Sequence, residues 1–234
     1  MKVLVTGGSG YIGSELMRVL KASGHDAISF DIASDPRDDV RDARRVEGAV
    51  SAVDVVYHLA SPCIVQDSIK NPMKYWDHIV NGTANVAEAC RKHGRRLIFT
   101  STQLAGDGFR CGCCGQLQSP YASAKREAEK LVEALPDSVT VRLPNIIDLE
   151  GRDRNESRLF PRLNKAARET GVVRIRPPED TPVTLVEVGE CARNLLAYLL
   201  EGTGTQLMKG ETMTIRQVAE RVAALHGARV EVTP

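Results

Sequence analysis

The sequence predicts an α/β fold in which a doubly wound parallel sheet is joined by a small C-terminal substrate-binding lobe. Short runs rich in β-branched residues alternate with helix-period segments along most of the chain. A glycine-rich turn follows the first such run directly. With 234 residues, 42% of them hydrophobic and 26% charged, the chain has material for one sizeable core.

The strand candidates are 2–6, 27–30, 54–59, 96–101 and 139–143, each short, apolar and bounded by Gly, Asp, Ser or Pro. Between them lie amphipathic helices. Ala124, Ala128, Leu131, Val132 and Leu135 fall on one helical face, and Val188, Cys191, Ala192, Leu195, Leu196 and Leu199 repeat the device. Near the end, Thr214 and Gln217 form a capping-box signal for a helix that buries Ile215, Val218, Ala219, Val222 and Leu225. The rhythm breaks over 145–187, where Arg, Pro, Glu and Asp concentrate and periodicity weakens. We therefore expect a nucleotide-binding core over 1–144 and a reduced lobe over 145–234, interleaved with late core elements at 183–200, with 203–234 joining the lobe.

A net charge of +1 offers a phosphate backbone or an anionic membrane little attraction, so neither nucleic acid nor membrane is an expected partner. No apolar stretch nears membrane-spanning length, and the first strand begins at the initial methionine, so a cytoplasmic location is expected. The six cysteines show no spaced framework and read as reduced thiols. Cys111, Cys113 and Cys114 cluster in one loop. They could hold zinc or form a reversible disulfide, but the loop has no fourth Cys or His, so small residues in a loop and no metal site is the expectation.

Gly7-Gly8-Ser9-Gly10-Tyr11-Ile12-Gly13 stands between the first strand and a helical pattern containing Leu16, Val19 and Leu20. Glycine permits the tight turn and lets backbone N–H groups approach a pyrophosphate, whose charge the helix N-terminus favours. Asp31, with Ile32 beside it, ends the second strand, where a carboxylate accepts hydrogen bonds from ribose hydroxyls and repels a 2′-phosphate. This is the signature of a Rossmann fold, and it predicts NAD rather than NADP, although Arg37 and Arg41 lie near the same corner.

Tyr121 and Lys125 are four residues apart at a helix start, hence on one face. A free phenol, with a pKa near about 10, is a poor base at neutral pH, but a fixed neighbouring cation favours the phenolate. Tyr121 could then take a hydroxyl proton while hydride leaves for the cofactor. Thr102, at the end of the fourth strand, would hold the reacting oxygen.

Taken in order, these motifs resemble the extended short-chain dehydrogenase/reductases, the NAD-dependent epimerase/dehydratase family, over nearly the whole chain. Further matches are Asp39-Val40, His58-Leu59-Ala60-Ser61, Asn81-Gly82-Thr83 and Arg142-Leu143-Pro144-Asn145. The resemblance implies that Asp39 and Val40 lie beside the adenine, Leu59, Ala60 and Ser61 along the cofactor, Pro144 near the nicotinamide and Asn145 near a sugar diphosphate. It also implies a nucleotide sugar as substrate and a homodimer formed through the helices after Asn81 and Tyr121. Arg174 and Arg176 are candidates for the diphosphate, or else a solvated strand face. His58 reads as packing beside the cofactor, and Trp76 as capping a helix or sheet edge.

The chain departs from the family's sugar dehydratases at Gln103 and Leu104, where those enzymes carry Asp and Glu. An amide and an alkyl group cannot perform that acid/base work, which leaves oxidation of a hydroxyl and return of the hydride, an epimerisation. The alternatives are a sugar dehydrogenase or carbonyl reductase with net hydride transfer, and a non-catalytic NAD-binding module.

Overall fold

A computed structural model describes residues 1–106, 119–148 and 159–233. The elements run β1 (Lys2–Thr6), α1 (Tyr11–Ala22), β2 (Asp26–Phe30), α2 (Ala43–Ser51), β3 (Val55–His58), α3 (Val65–Lys70), α4 (Pro72–Trp76) and α5 (Gly82–His93). They continue with β4 (Arg96–Thr102), α6 (Pro120–Glu133), β5 (Ser138–Leu143), β6 (Asn145–Ile147), α7 (Leu159–Thr170) and β7 (Val172–Ile175). The last are β8 (Pro182–Glu187), α8 (Val188–Ala197), β9 (Gly204–Leu207), β10 (Glu211–Thr214), α9 (Ile215–His226) and β11 (Arg229–Val232). Two compact units result: Met1–Leu143 with Gly189–Met208, and Pro144–Val188 with Lys209–Pro234.

The first unit is a six-stranded sheet in the order β2-β1-β3-β4-β5-β9, with every pairing parallel. All four residues of β3 and all seven of β4 are buried, as expected for strands covered on both faces. The helices supply that cover through their apolar sides: α1 buries Leu16, Val19 and Leu20, and α6 buries Ala124, Ala128 and Val132. Strand order reverses between β1 and β3, which opens a crevice at their carboxyl ends, the place where such sheets bind nucleotides. A π-helical turn, Asp77–Asn81, joins α4 to α5, and Trp76 is the last residue of α4. Arg96, at the start of β4, donates to the carbonyls of Tyr198 (3.1 Å) and Gly202 (2.7 Å) and pairs with Asp137, tying down the segment that leads into β9.

The second unit holds a three-stranded sheet, β10-β8-β6, and a parallel pair, β11-β7. Its core gathers Phe160 and Leu163 of α7, Val173 of β7, and Val218 and Val222 of α9. The expected capping box is present: the Thr214 hydroxyl accepts from the Gln217 N–H at 3.1 Å, and the Gln217 side chain accepts from the Thr214 N–H at 2.8 Å.

The C-terminal third departs from the sequence expectation in three places. Residues 182–187 form β8 of the lobe's sheet rather than a core element, and only the helix that follows them returns to the first unit. Residues 204–207, expected in the lobe, form the edge strand β9 against β5. Within the weakly periodic 145–187, α7 is a regular helix. Its Pro161 sits in the first turn, where a missing N–H costs nothing, and Arg162, Lys165 and Arg168 dilute its apolar signal.

Candidate active site

The cofactor end of the crevice is built by the glycine turn. Gly7 adopts φ +74°, and a Cβ there would lie 2.8 Å from the Ala60 nitrogen. A Cβ on Gly13 would lie 2.0 Å from the Gly7 carbonyl oxygen, so α1 can start this close to β1 only without side chains. No side chain caps the N-terminus of α1, since the residue at that position is Gly10. Asp31 is turned toward this loop, accepting from Ser9 N–H at 3.0 Å and Ala33 N–H at 2.8 Å, and Ser9 and Ser34 hydroxyls meet at 2.6 Å. Ile32 is exposed beside it.

Beyond Asp31, the arginines Arg37, Arg41 and Arg45 are committed to carboxylates. Arg37 binds Asp35 at 2.7 Å, Arg41 binds Asp39 at 2.6 Å and Asp77 at 3.1 Å, and Arg45 binds Asp38 at 2.7 Å. Arg37, Asp39, Arg41, Arg45 and Asp77 line a shallow pocket. Hydrogen bonding from Arg37 holds the Asp35 carboxyl down to about 2, and Arg41 lowers Asp39 in the same way. A 2′-phosphate would have to compete with these carboxylates for each guanidinium. Val40 is buried and its Cγ2 closes on Gly82.

On the opposite wall, His58 is fully buried between two hydroxyls, with Nδ1 2.7 Å from Thr6 Oγ1 and Nε2 3.1 Å from Thr83 Oγ1. Thr6 Oγ1 also accepts from Ala60 N–H at 3.2 Å, so this network fixes the backbone of Leu59, Ala60 and Ser61 against the glycine turn. Burial pulls the His58 imidazole down to about 3, so it is neutral and positions rather than titrates.

The reactive pair lies on α6. Ser119 caps that helix, its hydroxyl accepting from Ala122 N–H at 3.2 Å, and Pro120 starts it, which places Tyr121 and Lys125 one turn apart and both buried. Lys125 Nζ donates to the Thr100 carbonyl at 2.8 Å and stands 4.6 Å above the Phe99 ring. Burial pulls its ammonium down to about 8, while the charges of Cys63 and Glu129 act in the opposite direction. Thr102, two residues beyond the carbonyl that Lys125 grips, is buried at the end of β4, and its hydroxyl accepts from Leu104 N–H at 3.3 Å. Gln103 and Leu104 form a 3-10 turn after it.

Tyr75 belongs to the same region and carried no recognisable signal in the sequence. Its ring meets Tyr121 edge-on with centroids 6.3 Å apart, and its hydroxyl donates to the Ile64 carbonyl at 2.7 Å and accepts from Ile64 N–H at 3.1 Å. It thereby fixes both the phenol and the loop that carries exposed Cys63.

The remaining candidates belong to the second unit. Pro144 is buried and Asn145 is exposed on β6, its amide donating to the Thr184 carbonyl at 3.1 Å. Arg174 is exposed on β7 and meets Glu231 at 3.1 Å, and Arg176 is exposed just after that strand. Cys111, Cys113 and Cys114 lie outside the described residues.

The glycine turn, the carboxylate at the end of β2 and the buried Tyr–Lys pair define an enzyme that works with a nicotinamide dinucleotide. The family model for the NAD dependent epimerase/dehydratase family matches residues 3–202, and the chain belongs to that family. Its cofactor is NAD, and the side-chain-free cradle at Gly7, Gly10 and Gly13 fits a pyrophosphate. A 2-alkyl-3-oxoalkanoate reductase of Stenotrophomonas maltophilia is 31% identical across 97% of this chain and 76% of its own. A UDP-glucose 4-epimerase of Corynebacterium glutamicum is 37% identical over 44% of this chain, a match that takes in 35% of its own length. The Thermus thermophilus UDP-glucose 4-epimerase in complex with NAD superimposes with a TM-score of 0.84 at 26% identity, covering 100% of this chain and 86% of that one.

Proposed function

We propose that the protein epimerises a nucleotide-activated sugar by oxidising one ring hydroxyl and returning the hydride to the opposite face of the same carbon. Bound NAD supplies the hydride acceptor. Tyr121 takes the hydroxyl proton, Lys125 holds the phenolate form by its charge, and Thr102 orients the reacting oxygen. Gly7, Gly10, Tyr11, Ile12 and Gly13 cradle the pyrophosphate, and Asp31 with Ile32 receives the adenosine ribose. Asp39 and Val40 flank the adenine, while Leu59, Ala60, Ser61 and Pro144 line the path to the nicotinamide. Asn145, Arg174 and Arg176 are the proposed contacts to the sugar diphosphate, and α5 with α6 the proposed homodimer face.

The observation that carries this reading is the buried Tyr121–Lys125 pair beside a turn in which Gln103 and Leu104 offer no acid or base. The pair serves hydride and proton transfer, and this turn offers nothing for water elimination. Support for the substrate comes from the UDP-glucose 4-epimerases among its relatives. The test is incubation with NAD and UDP-glucose or dTDP-glucose, following the sugar protons by NMR and NADH by absorbance. Interconversion of epimers without accumulating NADH is the expected result.

A second reading, net oxidoreduction at a ketone or secondary alcohol, is favoured by the match to the 2-alkyl-3-oxoalkanoate reductase along 97% of the chain. Stoichiometric cofactor turnover with a 3-hydroxy or 3-oxo acid, and none with nucleotide sugars, would replace the first reading by this one. Biological activity unaffected by Tyr121→Phe would remove both in favour of a non-catalytic NAD-binding module.

A further inference from the structure

Lys125 is a cation in a place that disfavours cations, and groups from several described elements face it. The Thr100 carbonyl and the Phe99 ring face it from β4. Neutral His58 faces it from β3, and the Cys63 thiol from the loop before α3. On its own helix stand Tyr121 and, one turn further on, Glu129. Cys63 and Glu129 both act to support its charge, and Glu129 is the carboxylate of the two.

Glu129 is 3% exposed, a burial that a carboxylate tolerates only when paired. The partner is Arg142 of β5, which grips it with two nitrogens: Nε to Oε1 at 2.9 Å and Nη2 to Oε2 at 2.7 Å. In the parallel register Arg142 lies beside Ser101, between Thr100 and Thr102 of β4. The helix is thus pinned twice within one turn, by Lys125 to β4 and by Glu129 to β5. A bidentate pair fixes rotation as well as distance.

We propose that Glu129 is a positioning residue for the reaction: held by Arg142, its carboxylate seats the helix that presents Tyr121 and supplies a negative charge that favours the cationic form of buried Lys125. The proposal rests on the reading of Tyr121 and Lys125 as the acid/base pair. An ion pair that merely stapled α6 to the sheet would be indifferent to which partner carried which sign. Charge support requires the acid on the helix, next to Lys125.

The test is an NMR titration of lysine labelled with 13C at Cε in the NAD-loaded protein, the Lys125 signal being assigned by its loss in Lys125→Met. In Glu129→Gln the midpoint moves toward acid by about one pH unit. In Glu129→Asp it stays near the wild-type value. The exchanged double variant Glu129→Arg/Arg142→Glu retains a pair and so guards against simple unfolding. There the midpoint moves at least as far as in Glu129→Gln, because a guanidinium now faces Lys125. A wild-type midpoint in the folded double variant, or in folded Glu129→Gln, would overturn the proposal. The alkaline limb of the pH–rate profile should follow the midpoint. If the midpoint moves and the profile does not, the charge support stands and the Tyr121–Lys125 mechanism fails instead.

Discussion

The corner after β2 and the face of α6 handle charge in opposite ways. Around Asp31, acids and bases are numerous, exposed and paired with one another: Arg37 keeps 79% of its side chain accessible while bound to Asp35. Around Tyr121, charges are few and buried, and Lys125 is held by a carbonyl and a ring rather than by a carboxylate in direct contact. Exposed pairs are screened and individually weak, so that corner selects among cofactors by accumulated small preferences. A desolvated cation acts on its neighbour through a low-dielectric medium, so single substitutions on α6 should have large effects.

The sharpest way to break this contrast is Tyr121→Phe. It should lower kcat by roughly 10²- to 10⁴-fold while leaving NAD affinity, measured by calorimetry, nearly unchanged. A loss below tenfold would mean that the phenol is not the proton carrier.

Lys125→Met probes the cost of the buried charge. The ammonium lies near 8 in the folded chain against an ordinary 10.5, so the folded protein releases this proton before the unfolded one does. The burial penalty is complete below pH 8 and is relieved as pH rises toward 10.5. The variant should therefore be inactive yet more stable at neutral pH, by on the order of 2 kcal/mol after loss of the Thr100 hydrogen bond. That advantage in Tm should shrink between pH 8 and 10.5, and an advantage independent of pH would show that packing alone is responsible.

At the other corner, Asp31→Asn should weaken NAD binding about tenfold and narrow its advantage over NADP, from loss of charge-assisted bonds to the ribose. Arg37→Ala should change NAD affinity by less than about twofold, because the guanidinium is exposed and already bound to Asp35. If Arg37→Ala proved as damaging as Asp31→Asn, the corner would not be the set of screened pairs described.

The glycine turn, the five principal strands and the Tyr–Lys helix were legible because each depends on local rules: backbone freedom at Gly7, alternation of apolar runs with helices, a proline-started amphipathic helix. So was the capping box at Thr214. Strand β9 was not, since its four residues are all exposed and carry no apolar pattern; it forms because β5 presents an unpaired edge and Arg96 holds the preceding turn. Nor was α7, whose charged outer face and early proline hide the buried Phe160, Leu163 and Ala167.

Residue types and their spacing determined the chemistry on offer, because a phenol, an ammonium and a glycine turn each act through properties of one side chain or one stretch of backbone. Tertiary structure decided how strongly each group acts. The reach of Arg41 to Asp77, the neutral His58 between Thr6 and Thr83, the edge of Tyr75 against Tyr121 and the grip of Arg142 on Glu129 all join residues that sequence order does not relate. Desolvation and charge–charge energies depend on distance and burial, and these exist only once the chain has folded.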